Sequence, residues 1–230
     1  MPYATNLGFT GTPIEKTEKE FGEYIDKYTM RQAIEDGVTL EIVYEGRAHK
    51  AEVLNKEELK GKFLDLFADY TPQELSKVLG RNTKKAYQES WPTIRAKAKD
   101  MVKHYSEQVF PNGFKAQIVA CSREAAYRYK IAIDEALKER ISELKKNNPY
   151  SIDLSLLSEL ETDVIISSAG KSDEAYLVPY THSAQHESSI SRFKLAFDKT
   201  GKAGNGKLGI LIVNDMLLTG FDAPIEQVMY

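Results

Sequence analysis

Leu208-Gly209-Ile210-Leu211-Ile212-Val213 is an unbroken apolar run, and it leads straight into Asn214-Asp215-Met216-Leu217-Leu218-Thr219-Gly220-Phe221-Asp222-Ala223-Pro224. A strand with one face in water alternates apolar and polar residues, whereas apolar residues at both parities mean burial on both faces. Two more apolar runs precede it, Ala116 to Ala120 and Val164-Ile165-Ile166. Between them lie helical patterns. Ser122 is placed to cap a long helix whose apolar face is Ala126, Tyr129, Ile133, Leu137, Ile141 and Leu144, and His186 to Phe197 carries Ile190, Phe193 and Phe197 on one side. Buried strands joined by helices predict an α/β fold, a parallel sheet covered by helices on both faces.

Upstream, Leu7-Gly8-Phe9-Thr10 reads as a strand ended by the turn-prone Gly11-Thr12-Pro13. Thr29 can cap a helix over Met30 to Glu35, Asp36-Gly37 closes it, and Leu40-Glu41-Ile42-Val43-Tyr44 reads as a further strand. From Lys56 to about Tyr105 the composition turns to Lys, Glu, Leu and Ala, which predicts a helical insertion or lid. Ile225 to Tyr230 reads as a last strand. Apolar strands at both extremes of the chain point to a piece of a longer polypeptide.

With 230 residues and 42% hydrophobic composition the chain can bury a sizeable core. Its net charge of −3 excludes a protein held to DNA by bulk charge, so any nucleic-acid contact must be local. A single cysteine, Cys121, allows no internal disulfide, and no apolar run approaches the roughly 20 residues that span a bilayer. The expectation is a cytoplasmic protein without membrane contact.

Gly201-x4-Gly206-Lys207 has most of a phosphate-binding P-loop pattern. A P-loop follows a strand and opens a helix, so that loop amides and helix dipole face the phosphates; this one follows a helix and opens a strand, with Leu208 where a Mg2+-binding hydroxyl belongs. It is read as a flexible helix-to-strand connection. Thr10, Gly11 and Thr12 place two hydroxyls and a glycine after a strand, where open α/β sheets bind ligands, although the same residues make an ordinary turn. The loop after Val213 repeats the arrangement with Thr219, Gly220 and Asp222. Gly220 would let a backbone amide approach a phosphate, Thr219 offers a hydroxyl, and Asp222 could accept from a ribose or orient an arginine. The alternative is a loop that only caps its strand.

Gly8-Phe9-Thr10-Gly11-Thr12-Pro13 resembles motif III of superfamily-two helicases, and Asp215 to Pro224 resembles their motif V. Val213 to Pro224, Phe21-Gly22-Glu23-Tyr24 and Tyr28 to Gly37 are similar, more narrowly, to the motor of type I restriction enzyme R subunits, and Cys121-Ser122-Arg123-Glu124-Ala125-Ala126 to that family's motif IV region. The resemblance spans nearly the whole chain, least diagnostically over 56–105. It implies a RecA-like second helicase lobe: 1–14 ends the first lobe, 15–55 begins the second, 56–105 is the insertion, and 106–230 continues the second lobe past motif V. It assigns coupling to Thr10, Gly11 and Thr12, backbone contact to Ser122 and Arg123, and DNA and nucleotide contact to Thr219, Gly220 and Asp222. It also implies a parent that uses ATP and Mg2+ to translocate double-stranded DNA and cleaves it, working with methyltransferase and specificity subunits. A usable P-loop, an acidic Mg2+ box, a motif VI arginine and a nuclease cluster cannot be placed here. The piece alone is therefore expected to bind no ATP or metal, and to be inactive. The competing readings are another superfamily-two helicase or remodeller, and a non-catalytic nucleic-acid clamp with a motor fold.

Three lesser features complete the reading. Lys77, Arg81, Lys84, Lys85, Arg95, Lys97, Lys99 and Lys103 face only Glu89 and Asp100, which is either a phosphate-tracking surface or a solvated helix face beside a buried Trp91. His182 and His186 stand four apart with no third metal ligand in sight. Cys121 at a strand end reads as a small core residue.

Overall fold

A computed structural model describes residues 7–13, 16–47, 85–197 and 206–230. The chain divides into two compact units, Met1–Ala48 and His49–Tyr230.

Among its described residues the first unit carries two short helices, α1 (Thr17–Phe21) and α2 (Met30–Glu35). The expected cap on α2 is present as a reciprocal pair: Thr29 Oγ1 accepts from Gln32 N, and Gln32 Oε1 accepts from Thr29 N at 2.8 Å. Gly37, at φ +70°, turns the chain back so that the Val38 and Thr39 amides donate to the Ala33 carbonyl. Leu7–Thr10 and Leu40–Tyr44, both expected as strands, are not strands. Phe9 is 96% and Tyr44 89% exposed, and among the described residues no backbone ladder pairs with either segment. β-propensity proposes a strand, but only a partner that satisfies its amides and carbonyls makes one.

The second unit is built on β1 (Lys115–Val119), β2 (Glu161–Ile166), β3 (Leu208–Asn214) and β4 (Glu226–Met229), all parallel, in the order β2-β3-β1-β4. Its helices include α3 (Trp91–His104), α4 (Arg123–Lys146), α5 (Leu154–Ser158) and α6 (Ser183–Lys194). β3 is buried at all seven positions. The reason is visible in its partners: Ile210 and Ile212 join the core with Ala116 and Ile118 of β1, Ile133 of α4, and Ile94, Ala98 and Val102 of α3, while Leu211 and Val213 join Ile165 and Phe193 of α6 on the opposite face. Each such fully buried aliphatic side chain contributes about 1.5–3 kcal/mol. The described part of the helical stretch is built into this core, since Ile94 and Ala98 are fully buried; residues 56–84 lie outside the described set.

Gly209 is fixed by space. The β2–β3 register shifts beside it, and a Cβ there would lie 2.3 Å from Leu160 Cδ1 and 2.8 Å from Tyr105 Oη. The helix expected over His186 to Phe197 instead runs Ser183–Lys194. Leu195 is extended (φ −80°, ψ 141°), and Phe197 turns away to meet Phe110 at 5.3 Å between ring centroids. Two polar residues sit inside the sheet on β1. The Lys115 Nζ donates to the Arg192 carbonyl at 3.3 Å and lies over the rings of Phe193 and Phe197; burial lowers its pKa to about 8. Both amide atoms of the buried Gln117 side chain lack partners.

Candidate functional site

β1 and β3 are neighbours in register, Val119 opposite Val213, so the segments leaving them emerge side by side at the carboxyl edge of the sheet. Ala120 N donates to the Val213 carbonyl at 2.8 Å, and Asn214 Nδ2 returns a bond to the Ala120 carbonyl at 3.1 Å. This clasp sets Cys121-Ser122-Arg123 against Asn214-Asp215. The segment that follows β2, with Ala169, Glu174, Tyr176 and Leu177, closes a third side of a cleft of about 500 Å3 that these residues line with Lys85, Glu89 and Glu124.

Four of the charged groups that line the cleft, Lys85, Glu89, Arg123 and Glu124, are each tied to an oppositely charged neighbour. Ser122 caps α4 by accepting from Ala125 N at 3.1 Å and donates to the Glu89 carboxylate, which also faces the Lys85 ammonium at 3.8 Å. Arg123 pairs with Asp173. Glu124 accepts from Arg128 at 2.8 Å and from the Tyr176 hydroxyl at 2.6 Å, a bond that pushes the Tyr176 pKa up to about 12. Burial raises the Asp173 carboxyl pKa; hydrogen bonds from Ser168, the Ala169 amide and Arg123, with the arginine charge, outweigh it and leave the pKa below its ordinary value. Cys121 is exposed here, contrary to the core position expected of it, because β1 ends at Val119 and the chain turns outward before α4.

The loop after β3 is held by its apolar residues. Phe221 stacks on Phe193 with centroids 6.2 Å apart, the Lys194 Nζ lies 5.3 Å from the Phe221 centroid, and Met216, Leu217 and Ala223 pack on the same cluster. Asp215 (φ 56°), Leu217 (φ 60°) and Gly220 (φ 70°) take left-handed backbone conformations, the tight turns that leave Thr219, Gly220 and Asp222 exposed. The structure thus brings Ser122 and Arg123 together with the start of this loop, whereas Thr219, Gly220 and Asp222 lie beyond the cleft lining. Thr10, Gly11 and Thr12 belong to the first unit. There they form an exposed bend in which Thr12 N donates to Thr10 Oγ1 at 3.1 Å.

The basic stretch divides in the same way. Arg95 pairs with Glu135 at 3.1 Å and Lys99 with Glu139 at 2.7 Å, and half-buried Trp91 has the Arg95 and Arg128 guanidinium groups 4.9 and 5.7 Å from its ring centroid. Much of this face of α3 is therefore engaged with α4, while Lys77, Arg81 and Lys84 lie outside the described residues. His186 Nε2 sits 2.8 Å from the Tyr180 carbonyl.

At Gly206, in the P-loop-like stretch, a Cβ would lie 2.0 Å from the Ala196 carbonyl oxygen, so the close approach of the two backbones requires glycine there. Residues 201–205 lie outside the described set. Among the described residues no group of three or more His, Cys, Asp or Glu could hold a metal ion, and no helix is long and apolar enough to cross a membrane.

Residues 1–76 match the SWI2/SNF2 ATPase family. That match and the all-parallel sheet with its helices are those of an α/β fold of the RecA-like type. The relatives narrow it further, for over its whole length the chain is similar to endonuclease subunits of type I restriction enzymes. It is 30% identical to the putative type I restriction enzyme MjaVIIP endonuclease subunit of Methanocaldococcus jannaschii and 28% identical to the HindI endonuclease subunit of Haemophilus influenzae, in each case across 100% of this chain. It spans about a fifth of the length of these curated relatives, 22% and 20%.

Asp173 and Tyr176 carry no mark in the sequence, and Glu89 stands there only as an acid within the basic stretch. Ser168-Ala169-Gly170-Lys171-Ser172-Asp173 carries turn-forming residues and nothing that marks Asp173 as the partner of an arginine 50 positions earlier.

Proposed function

We propose that this chain is part of the motor of a type I restriction enzyme R subunit, in which ATP-driven translocation of double-stranded DNA leads to cleavage elsewhere in the protein. The observation that carries the reading is the clasped pair of loops at one edge of a parallel sheet, in a chain whose relatives along its full length are type I endonuclease subunits. In this reading 1–14 closes the first RecA-like lobe, 15–55 and 106–230 form the second, and 56–105 is an insertion whose α3 packs into the core of the sheet. Ser122 and Arg123 contact the DNA backbone, and such contacts are blind to sequence, as translocation requires. Thr219 and Gly220 meet phosphate through a hydroxyl and an amide, Asp222 orients a neighbouring group, and Thr10, Gly11 and Thr12 couple the lobes. ATP and Mg2+ are held mainly by groups outside the described residues. Methyltransferase and specificity subunits supply site recognition, and the assembly works in the cytoplasm.

The test is DNA-stimulated ATP turnover and translocation by the full-length protein with its partner subunits, comparing wild type with Thr219→Ala and Asp222→Ala. The reading expects each substitution to cost about tenfold or more, which is about 1.4 kcal/mol of transition-state stabilisation, with the fold unchanged. Turnover indifferent to both changes would remove the assignment of this loop. Another superfamily-two DNA helicase or remodeller is the second reading, favoured by the SWI2/SNF2 match over 1–76. DNA cleavage by the full-length assembly separates the two.

A further inference from the structure

We propose that Asp173 is a positioning residue, which holds the Arg123 guanidinium at the cleft in the orientation from which its remaining N–H groups meet a DNA phosphate. The proposal rests on reading the cleft as part of the DNA track.

The geometry is that of a braced arginine. Arg123 is the first residue of α4, its side chain is 20% exposed, and it lines the cleft. Asp173, whose side chain is only 4% exposed, takes the Arg123 Nη2 on Oδ1 and uses Oδ2 to accept from Ser168 Oγ at 2.8 Å and from Ala169 N at 2.9 Å. Ser168 Oγ in turn accepts from Gly170 N at 3.0 Å. The carboxylate is thus fixed by the turn that follows β2 before it fixes the arginine. An unbraced arginine gives up rotamer freedom when it binds a phosphate, and a brace that fixes it beforehand removes that cost from the binding step. A guanidinium carries five N–H donors in a rigid fork, so one edge can be committed to Asp173 while the rest stays available.

The carboxylate is specifically required. Arg123 meets Oδ1 and the Ala169 amide meets Oδ2, so an asparagine in the same place would turn its NH2 group on one of these two donors. The turn itself does not hang on this pair alone, because Tyr176 is bonded to Glu124 and packs on Tyr127 with ring centroids 4.7 Å apart. Asp173→Asn therefore removes the brace and leaves the cleft wall in place.

The experiment uses the full-length protein with its partner subunits and a plasmid-length duplex. It measures the half-saturating DNA concentration for stimulated ATP turnover, the turnover at saturation, and the salt dependence of DNA binding, for Arg123→Ala, Asp173→Asn, the double variant and the milder Ser168→Ala. Asp173→Asn is expected to raise the half-saturating concentration about fivefold, with saturated turnover changed less than about twofold and a shallower salt dependence, as for a lost phosphate contact. Ser168→Ala should move the same way by less, and the double variant should be no worse than Arg123→Ala alone. If Arg123→Ala raises the half-saturating concentration but Asp173→Asn leaves it unchanged or lowers it, the bracing role is wrong and the DNA-track reading survives. If Arg123→Ala has no effect, the DNA-track reading of the cleft fails, and this proposal with it.

Discussion

Replacing Gly209 by alanine tests the packing of the central strand with one methyl group. That carbon would lie 2.3 Å from Leu160 Cδ1, 3.1 Å from Leu160 Cγ and 2.8 Å from Tyr105 Oη. Ordinary carbon contacts are about 3.5–4.0 Å, so the closest neighbour must retreat by more than about 1 Å. Tyr105 has little room to do so, since it is fully buried and its hydroxyl donates to the Phe114 carbonyl at 3.3 Å. Leu160 is only partly buried and can swing. The cost should fall within the about 1–3 kcal/mol typical of overpacking. At about 2–4 °C per kcal/mol for a chain of this size, thermal unfolding followed by circular dichroism should drop by about 2–12 °C. Combining the change with Leu160→Ala should cost less than the two single changes added together, because the second substitution removes the atom that clashes. A Gly209→Ala protein within about 0.5 kcal/mol of wild type, the range of a neutral surface change, would refute this account of the register shift.

Other outcomes follow from particular side chains. Burial raises the pKa of Glu226 from 4.5 to about 7, so between those values the native state holds more protons than the unfolded one; urea unfolding should show stability falling as pH rises through this window, and Glu226→Gln should flatten the slope. Lys115 titrates near 8 against 10.5 unfolded, so the native state holds fewer protons above pH 8 and its contribution makes stability rise from there towards 10.5, a slope that Lys115→Met removes. Ser122→Ala should cost about 1 kcal/mol in thermal unfolding through the lost cap on α4. Arg95→Gln with Lys99→Gln should leave DNA affinity of the full-length assembly within about twofold, as Glu135 and Glu139 already neutralise both charges and surface pairs contribute only about 0–1 kcal/mol; a larger loss would restore the phosphate-tracking reading of α3.

Much of the sheet was legible because burial on both faces leaves a local mark. β3 is apolar at nearly every position, and Ser122 and the heptad-like spacing after it announce α4. The signal failed where structure depends on distant partners. Leu40–Tyr44 has strand composition but no strand, and α6 ends at Lys194 because Phe197 is drawn to Phe110. At the cleft the sequence located the two loops, but the wall supplied by Ala169 to Leu177 could not be read, since Asp173 and Tyr176 acquire meaning only when the fold sets them against Arg123 and Glu124. The basic stretch shows the same limit from the other side: composition counts charges, and only packing reveals that Glu135 and Glu139 already answer two of them.

The single helix α4 has a mechanical consequence. Its 24 residues form a rod of about 36 Å at about 1.5 Å per residue. Ser122 and Arg123 sit at one end, and Lys145 and Lys146 at the other. Buried from Ala125 near one end to Leu144 near the other, the rod anchors the cleft residues to the core over its whole length.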